Sequence, residues 1–160
     1  MKKIYFCKFI KNISKNGDQI VCEILLSLTN TISTFHGLMN DLNEKVRKKA
    51  VQGVAGILEM CDNLQLYEVS IKGTFDILIA KLETENDYVL NAVLKAIIIA
   101  IEKWQSSESC YILEIKLDTK KILSNVVRLN SSLNSSIQDL SLKIQRELNN
   151  NSNWELEDYE

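Results

Sequence analysis

The sequence predicts an all-α protein made of stacked helical repeats, and three observations support this prediction. Proline is absent from the 160 residues and glycine occurs only five times, so few residues interrupt a helix. Apolar residues recur at helical spacing along most of the chain. The segment that opens at Asn43 is repeated about 43 residues later at Asn86, with a β-branched residue three positions on and apolar residues four, five and eight beyond it. Units of this length cannot bury their apolar faces alone, so they stack on their neighbours.

The first quarter of the chain is expected to contain two helices. Residues 4–14 carry apolar side chains at helical spacing and end before a turn signal, Asn-Gly-Asp, at residues 16–18. A single longer helix is then expected from residue 18 or 19 to about residue 40, bent at Gly37. Its apolar side is expected to contain Ile24, Leu25, Leu28, Ile32, Phe35, Leu38 and Met39.

The next helix is expected over about residues 44–60. Asn43 is a favourable N-cap, and Glu44 in the first turn suits the helix dipole. Two glycines, Gly53 and Gly56, each weaken a helix by about 0.5–1 kcal/mol relative to alanine, but on an inner face they let a neighbouring helix come close. The inner face is expected to contain Val46, Ala50, Val54, Ile57 and Leu58, with Lys45, Lys48 and Lys49 opposite.

The following unit repeats this plan with a shorter first element. Residues 61–70 form a connector or a short helix, and Gly73 opens a second helix that runs to Glu83. After a polar turn at residues 84–87, a third helix over 88–103 is apolar on nearly every side. Its run of three isoleucines alone would also fit a buried strand, but its place in a long segment without turn residues favours a helix.

A third, weaker copy closes the repeated region. It is expected to have a helix over 120–129, a turn over 130–136 and a last helix over 137–148. The inward residues of that last helix are Ile137, Leu140, Ile144 and Leu148. Residues 149–160 are rich in asparagine and then acidic, which predicts a disordered tail.

A glycine that opens the second helix, an aliphatic segment after it and a polar turn before the third helix resemble the armadillo and HEAT repeats. The resemblance covers residues 18–148 and is strongest over 38–103. It implies a right-handed α-solenoid of about three repeats plus a partial N-terminal unit, forming one domain over residues 1–148. The implied units are 1–17, 18–60, 61–105 and 106–148. An irregular helical bundle remains the alternative fold.

Composition excludes several classes of function. A net charge of −2 and three scattered arginines argue against bulk nucleic-acid binding. Four cysteines lie far apart and there is one histidine, a pattern that fits neither a zinc site nor a disulfide framework and favours reduced thiols in the cytoplasm, or in the nucleus. The most apolar stretch, residues 88–101, is too short to cross a bilayer. No cofactor, metal or small-molecule ligand is expected.

The resemblance implies that partners bind along a concave face built from successive third helices. The residues expected to bind a partner on that face are Lys49, Gln52, Asn91 and Lys95. Armadillo-type nuclear import adaptors hold basic peptides there with a Trp and, one turn later, an Asn. On this sequence the Trp positions fall at Gln52 and Lys95 and the Asn positions at Gly56 and Ile99, so basic cargo is disfavoured.

HEAT repeats often carry an Asp in the turn and an Arg in the following helix, which stack into a ladder. Asp41 and Arg47 match this pattern once, whereas the next unit has Thr84 and Leu90. The ladder is therefore expected to stop after one unit. Tubulin-binding HEAT arrays use a Trp and basic residues in these turns, whereas the turns over 41–45 and 83–87 have no Trp and are mostly acidic or neutral, a poor match for acidic tubulin.

Three further features each have a functional and an ordinary interpretation. The cluster of Lys45, Arg47, Lys48 and Lys49 suits phosphate or an acidic peptide, but solvated lysines explain it as well. His36, among apolar residues and without a nucleophile motif, fits a core or groove histidine better than a catalytic base.

The third feature is the tail, where Trp154 and Tyr159 lie among acidic residues. This resembles a short docking motif for a basic partner, although a solubilising end with incidental aromatics fits better. The tail also has the charge to fold back onto the N-terminal 60 residues, whose charges sum to +4.

The sequence therefore predicts a non-enzymatic adaptor or scaffold that binds a protein or peptide along a concave helical face. The alternative is a structural subunit of a larger complex, such as a cytoskeletal or ciliary assembly, whose neighbours cover the solenoid ends. An enzyme is disfavoured because no nucleophile motif, metal cluster or phosphate loop is present.

Overall fold

The computed structural model describes residues 2–16, 19–28, 30–106 and 117–150, and over these residues the chain forms helices and no strands. The all-α prediction is confirmed for this part of the chain. The helices are α1 (Lys2–Asn16), α2 (Gln19–Ser27), α3 (Thr31–Met39), α4 (Glu44–Met60), α5 (Asn63–Ile71), α6 (Thr74–Thr84), α7 (Asp87–Ser106), α8 (Thr119–Leu129) and α9 (Ser135–Asn150).

Short polar side chains define where several helices begin. Asn43 accepts a hydrogen bond from the backbone N–H of Lys45 at 2.9 Å and so caps α4, as predicted. Asp62 and Gln65 form a capping box at the start of α5. Gly73 precedes α6 with a φ of 79°, a left-handed conformation that glycine adopts without the Cβ clash. These starts depend on neighbouring residues only, which is why the sequence predicts them.

The helices pack in two rows. Helices α1, α4, α7 and α9 lie side by side in that order, and α3, α6 and α8 form a second row. The two rows pack on each other, α3 on α4, α6 on α7 and α8 on α9, while α2 lies beside α5. Helix α1, which was predicted as a partial N-terminal unit, lies in the first row beside α4.

Several long-range hydrogen bonds join residues that are 38 to 47 positions apart in the sequence. His36 Nε2 and Thr74 Oγ1 are 2.9 Å apart and 38 residues apart in sequence. The Asn125 side chain donates to Glu83 over 42 residues at 3.2 Å. Bonds of similar sequence separation join Lys3 to Asp41, Asn86 to Glu44, Asn134 to Asp87, Lys103 to the carbonyl of Cys61, and Lys143 to Glu102.

The core runs between the rows of helices and is deepest at α4 and α7. Ten residues of α7 are buried, and the fully buried large side chains include Phe35, Ile57, Leu58, Leu94, Ile97 and Ile101. Gly53 lies against Phe35: a Cβ at Gly53 would stand 2.5 Å from the Phe35 ring. The expectation that a glycine in α4 permits close helix packing therefore applies to Gly53.

The prediction of one continuous helix over residues 18–40 is wrong. Helix α2 ends at Ser27 and α3 begins at Thr31. At the end of α2 the Ser27 hydroxyl and the Leu28 N–H both donate to the carbonyl of Ile24. Ile24 and Leu28, which were expected on the apolar side of one long helix, are 56% and 57% exposed.

The interruption does not fall at Gly37, which lies within α3. The third unit agrees with its prediction, since Ile137, Ile144 and Leu148 are buried and Leu140 is partly buried. Residues 107–116, which belong to the predicted unit 106–148, and the tail with Trp154 and Tyr159 lie outside the described residues.

A candidate protein-binding groove

A groove lies between α4 and α7, beside the end of α1. It contains a cavity of about 220 Å³. Three of the four residues predicted to bind a partner, Gln52, Asn91 and Lys95, line this cavity. The fourth, Lys49, donates a hydrogen bond from its Nζ atom to the side-chain oxygen Oε1 of Gln52 at 2.9 Å. The other lining residues are Lys11, Lys48, Ala55, Gly56, Glu59, Ala92 and Ile99.

Helical periodicity explains which side chains face the groove. On α4 the lining residues include Lys48, Gln52 and Gly56, each four positions apart, and on α7 they include Asn91, Lys95 and Ile99 with the same spacing. Residues four apart share one helix face, so each helix contributes a single stripe. The groove forms where the two stripes meet.

Residue size explains the depth of the groove. Its floor is built from Ala55, Gly56 and Ala92, whose small side chains leave space between the helix backbones. Long polar side chains, such as Lys48 and Lys95, form its walls. The arrangement offers an apolar floor of a size that accommodates one side chain of a ligand, with hydrogen-bonding groups above it.

The groove continues towards the C-terminal end of α7. A second hollow of about 270 Å³ shares Glu59 and Ile99 with the first and is also lined by Glu102, Lys103 and Ser106. The carboxylates lie at this end, whereas lysines concentrate at the other. We call Lys8, Lys11, Lys48, Lys49 and Lys95 the lysine end of the groove.

The ammonium groups at the lysine end affect one another. Burial lowers the pKa of Lys49, and the charges of Lys11, Lys8 and Lys48 lower it further. Lys48 lies over the ring of Tyr88 with its Nζ atom 3.6 Å from the ring centroid, a cation–π contact that holds this side chain in place. The lysine end is thus a region of positive potential.

The four-residue basic cluster of the sequence is divided by the fold. Lys48 lines the groove, Lys49 bonds to Gln52 of the lining and Lys45 is exposed, but Arg47 is not part of the lining and points towards Glu85. There its Nε and Nη2 atoms donate to the Glu85 carboxylate at 2.9 and 3.0 Å, and Nη1 donates to the carbonyl of Asp41 at 3.0 Å. Arg47 is therefore part of the packing between units and not of the groove.

The expectation that the charged ladder stops after one unit overlooked Glu85. Lys3 pairs with Asp41 at 2.6 Å, and one unit later Arg47 pairs with Glu85 at 2.9 Å. In the second unit the resemblance places the acidic residue of the ladder at position 84, which is a threonine. Glu85 is one residue further on, so a comparison restricted to position 84 does not find it. The sequence did contain a signal for this ion pair. Glu85 lies 44 residues after Asp41, and Arg47 lies 44 residues after Lys3.

Glu85 is the most completely engaged carboxylate of this ladder. Its side chain is 4% exposed and also accepts from the Lys81 ammonium group at 2.9 Å. Burial opposes ionisation of Glu85, but the hydrogen bonds from Arg47 and Lys81 outweigh it and lower the pKa of the carboxyl group. Two cations thus share one buried anion.

His36 joins two helices of the second row. Its ring bonds to the hydroxyl of Thr74, and burial lowers the pKa of the imidazole. Because Thr74 is fully buried, no substrate reaches its hydroxyl group. The contact bridges α3 and α6, in keeping with the predicted core or groove histidine.

Two other features, a metal site and a membrane-spanning helix, are considered for the described residues. Among those residues, no group of three His, Cys, Asp or Glu side chains is placed to hold a metal ion. Of the described helices, none has both the length and the apolar character needed to span a bilayer.

Comparison of the chain with protein-family models, with curated proteins and with solved structures finds no match. Inferences about function therefore rest on the groove itself.

Proposed function

We propose that this chain is a non-catalytic protein-interaction module, an adaptor or scaffold that binds a segment of a partner protein in the groove between α4 and α7. The observation that carries this proposal is the placement of Gln52, Asn91 and Lys95. These residues come from two successive units, and they line one cavity together. The cavity is only partly enclosed and is apolar at its floor, which suits a segment of polypeptide better than a small molecule, since small-molecule sites enclose most of their ligand.

We further propose that the fold is a right-handed solenoid of the armadillo or HEAT type. The order of neighbouring helices supports this, because α1, α4, α7 and α9 follow one another in space as they do in the chain. An irregular bundle has no reason to keep that order or to place inter-unit hydrogen bonds at a separation of 38 to 47 residues. In a solenoid, α4 and α7 lie on the concave face.

The proposed compartment is the cytoplasm, with the nucleus as the alternative. Cys7, Cys22 and Cys61 are buried free thiols. The Cys22 and Cys61 thiols are hydrogen-bonded to each other at 3.6 Å. Widely spaced cysteines of this kind are typical of proteins in reducing compartments.

The experiment that tests the groove is affinity capture from a cell lysate with the wild type and with a Gln52→Glu/Lys95→Glu variant, partners being identified by mass spectrometry. A matched control, Lys72→Glu/Lys121→Glu, changes the net charge by at least as much at exposed positions outside the groove lining. Partners lost only from the groove variant support the proposal. Partners retained by both variants contradict it.

A second candidate function is that of a structural subunit within a larger assembly, such as a cytoskeletal or ciliary one. The observation that favours it is exposed apolar surface at the N-terminal unit, where Tyr5 and Phe9 on α1 and Ile20 and Ile24 on α2 are each more than half exposed. Helix α1 is also the first in its row, so only α4 flanks it there. Uncovered apolar ends of a solenoid call for a neighbour.

Analytical ultracentrifugation of the isolated chain tests this second candidate. Concentration-dependent association that is abolished by Phe9→Gln and Ile24→Gln supports it. A wild-type chain that stays monomeric at high concentration contradicts it.

A further inference from the structure

The charge and hydrogen-bonding groups of the groove indicate what kind of segment it binds. We propose that the lysine end receives an extended acidic peptide segment of a partner protein, with carboxylates near Lys48, Lys49 and Lys95 and one apolar side chain on the alanine and glycine floor. This inference rests on the proposed function, because it specifies the chemistry of the partner in the same groove.

The first argument is charge complementarity. Lys11, Lys48 and Lys95 line the first cavity, and within that lining the single carboxylate is Glu59, which also borders the hollow towards the far end of the groove. The pKa of Lys49 is lowered most by burial and next by the same crowding of positive charge. A segment with several carboxylates compensates this charge, whereas a basic segment is repelled.

The second argument is that the positive groups are held in place. The Tyr88 ring holds the Lys48 ammonium group by a cation–π contact. The Gln52 side-chain oxygen holds the Lys49 ammonium group by a hydrogen bond of 2.9 Å. Side chains that are already ordered lose less conformational entropy when a ligand binds. Lysines on an ordinary solvated face have no such supports.

The third argument distinguishes a peptide from other anions. The side-chain amide oxygen of Gln52 accepts a hydrogen bond from Lys49, which leaves the side-chain NH₂ group of Gln52 as a donor towards a ligand. The Asn91 NH₂ group donates to the Ser136 hydroxyl, which leaves the Asn91 carbonyl oxygen as an acceptor. One donor and one acceptor match the C=O and N–H groups of an extended peptide backbone, whereas an ionised phosphate offers acceptors only.

The test is fluorescence anisotropy with a labelled peptide, Glu-Asp-Glu-Leu-Asp-Glu-Glu, and its neutral counterpart, Gln-Asn-Gln-Leu-Asn-Gln-Gln. The wild-type chain is expected to bind the acidic peptide at least about tenfold more tightly than the neutral one, and raising the salt concentration is expected to weaken binding. Lys48→Glu/Lys95→Glu is expected to reduce the affinity by about tenfold or more, and Lys72→Glu/Lys121→Glu by less than about twofold. The milder Lys48→Gln/Lys95→Gln pair, with circular dichroism of each variant, separates lost binding from lost folding.

Several results would overturn the proposal. These are equal binding of the acidic and neutral peptides, no effect of the Lys48 and Lys95 substitutions, or competition by a single-stranded oligonucleotide as effective as that by the peptide. If removal of residues 151–160 raises the affinity for the acidic peptide, the groove belongs to the chain's own acidic segment and the choice of a partner segment is wrong.

The two proposals fail in different ways. If the acidic peptide does not bind but Gln52→Glu/Lys95→Glu still loses partners in the capture experiment, only the acidic specificity is wrong. If the capture experiment also shows no difference, the groove itself is not the binding site.

Discussion

Arg47 and Lys48 are consecutive residues of α4, and their side chains lie in opposite electrostatic surroundings. Arg47 points towards the next unit, where it pairs with the buried carboxylate of Glu85 beside Lys81. Lys48 points into the groove, near Lys49 and two further lysines of the lining, with a tyrosine ring as its close contact. The charge of Arg47 is thus balanced by an anion, whereas Lys48 lies among like charges.

The comparison separates charges that stabilise the fold from charges that do not. At the packed positions of α4, Arg47 forms an ion pair with Glu85, and Gly53 brings α4 close to Phe35 of α3. At the groove, crowded ammonium groups oppose folding slightly, as the lowered pKa of Lys49 shows. Substitutions on the two sides of α4 are therefore expected to affect different measurements, and four predictions test this.

The largest effect is expected for Glu85→Gln, on the packed side. The substitution keeps the shape of the side chain but leaves Lys81 and Arg47 without their counter-ion in a buried setting. We expect the free energy of unfolding to fall by about 2–4 kcal/mol. Urea denaturation followed by circular dichroism measures it. Glu59→Gln, at an exposed carboxylate on the groove side, is the control and is expected to change stability by less than about 0.5 kcal/mol.

The next largest effect is expected for Gly53→Ala. The new methyl group would meet the Phe35 ring at 2.5 Å, so overpacking is expected to cost about 1–3 kcal/mol. Gly37→Ala is the matched control within the neighbouring helix, because no atom lies within 4 Å of the Cβ it would add. There the gain in helix propensity is expected to stabilise the protein by about 0.5–1 kcal/mol. Thermal melts that show the same sign for both substitutions would refute this account.

A smaller, pH-dependent effect is expected from the lowered pKa of Glu85. A carboxyl group with a lowered pKa in the folded state contributes stability above its unfolded pKa of about 4.3, and this contribution is lost as the pH falls through the folded value. The difference in unfolding free energy between the wild type and Glu85→Gln should therefore shrink below about pH 4. Urea titrations at several pH values measure it, and a difference that stays constant down to about pH 3 would exclude this role.

The smallest effect is expected on the groove side, for Lys49→Gln. Burial and the nearby charges of Lys11, Lys8 and Lys48 disfavour the charged form of Lys49, as its lowered pKa records. Removing the charge is expected to stabilise the fold by a few tenths of a kcal/mol at low salt, and by less at high salt. Lys45→Gln, at an exposed position on the same helix, is the control. A clear loss of stability in Lys49→Gln alone would show that the groove lysines contribute to folding.

Much of the local structure was predictable because its causes lie within a few residues. The N-cap at Asn43 and the start of the short helix after Cys61 depend on side chains next to the backbone groups that they satisfy, and the start of α6 depends on the left-handed backbone of Gly73. The break between α2 and α3 was missed because apolar spacing continues across it.

The sequence by itself determined the helical fold class, the repeat spacing and the stripe of residues that each helix presents, because these follow from backbone hydrogen bonding and a period of 3.6 residues. It also singled out Gln52, Asn91 and Lys95 as residues of one face. Tertiary packing alone decided that the stripes of α4 and α7 border one groove, that Lys11 of α1 joins them, and that Arg47 leaves the basic cluster for Glu85. These contacts join residues about one repeat apart or more, and they depend on how whole helices pack, which no local pattern encodes.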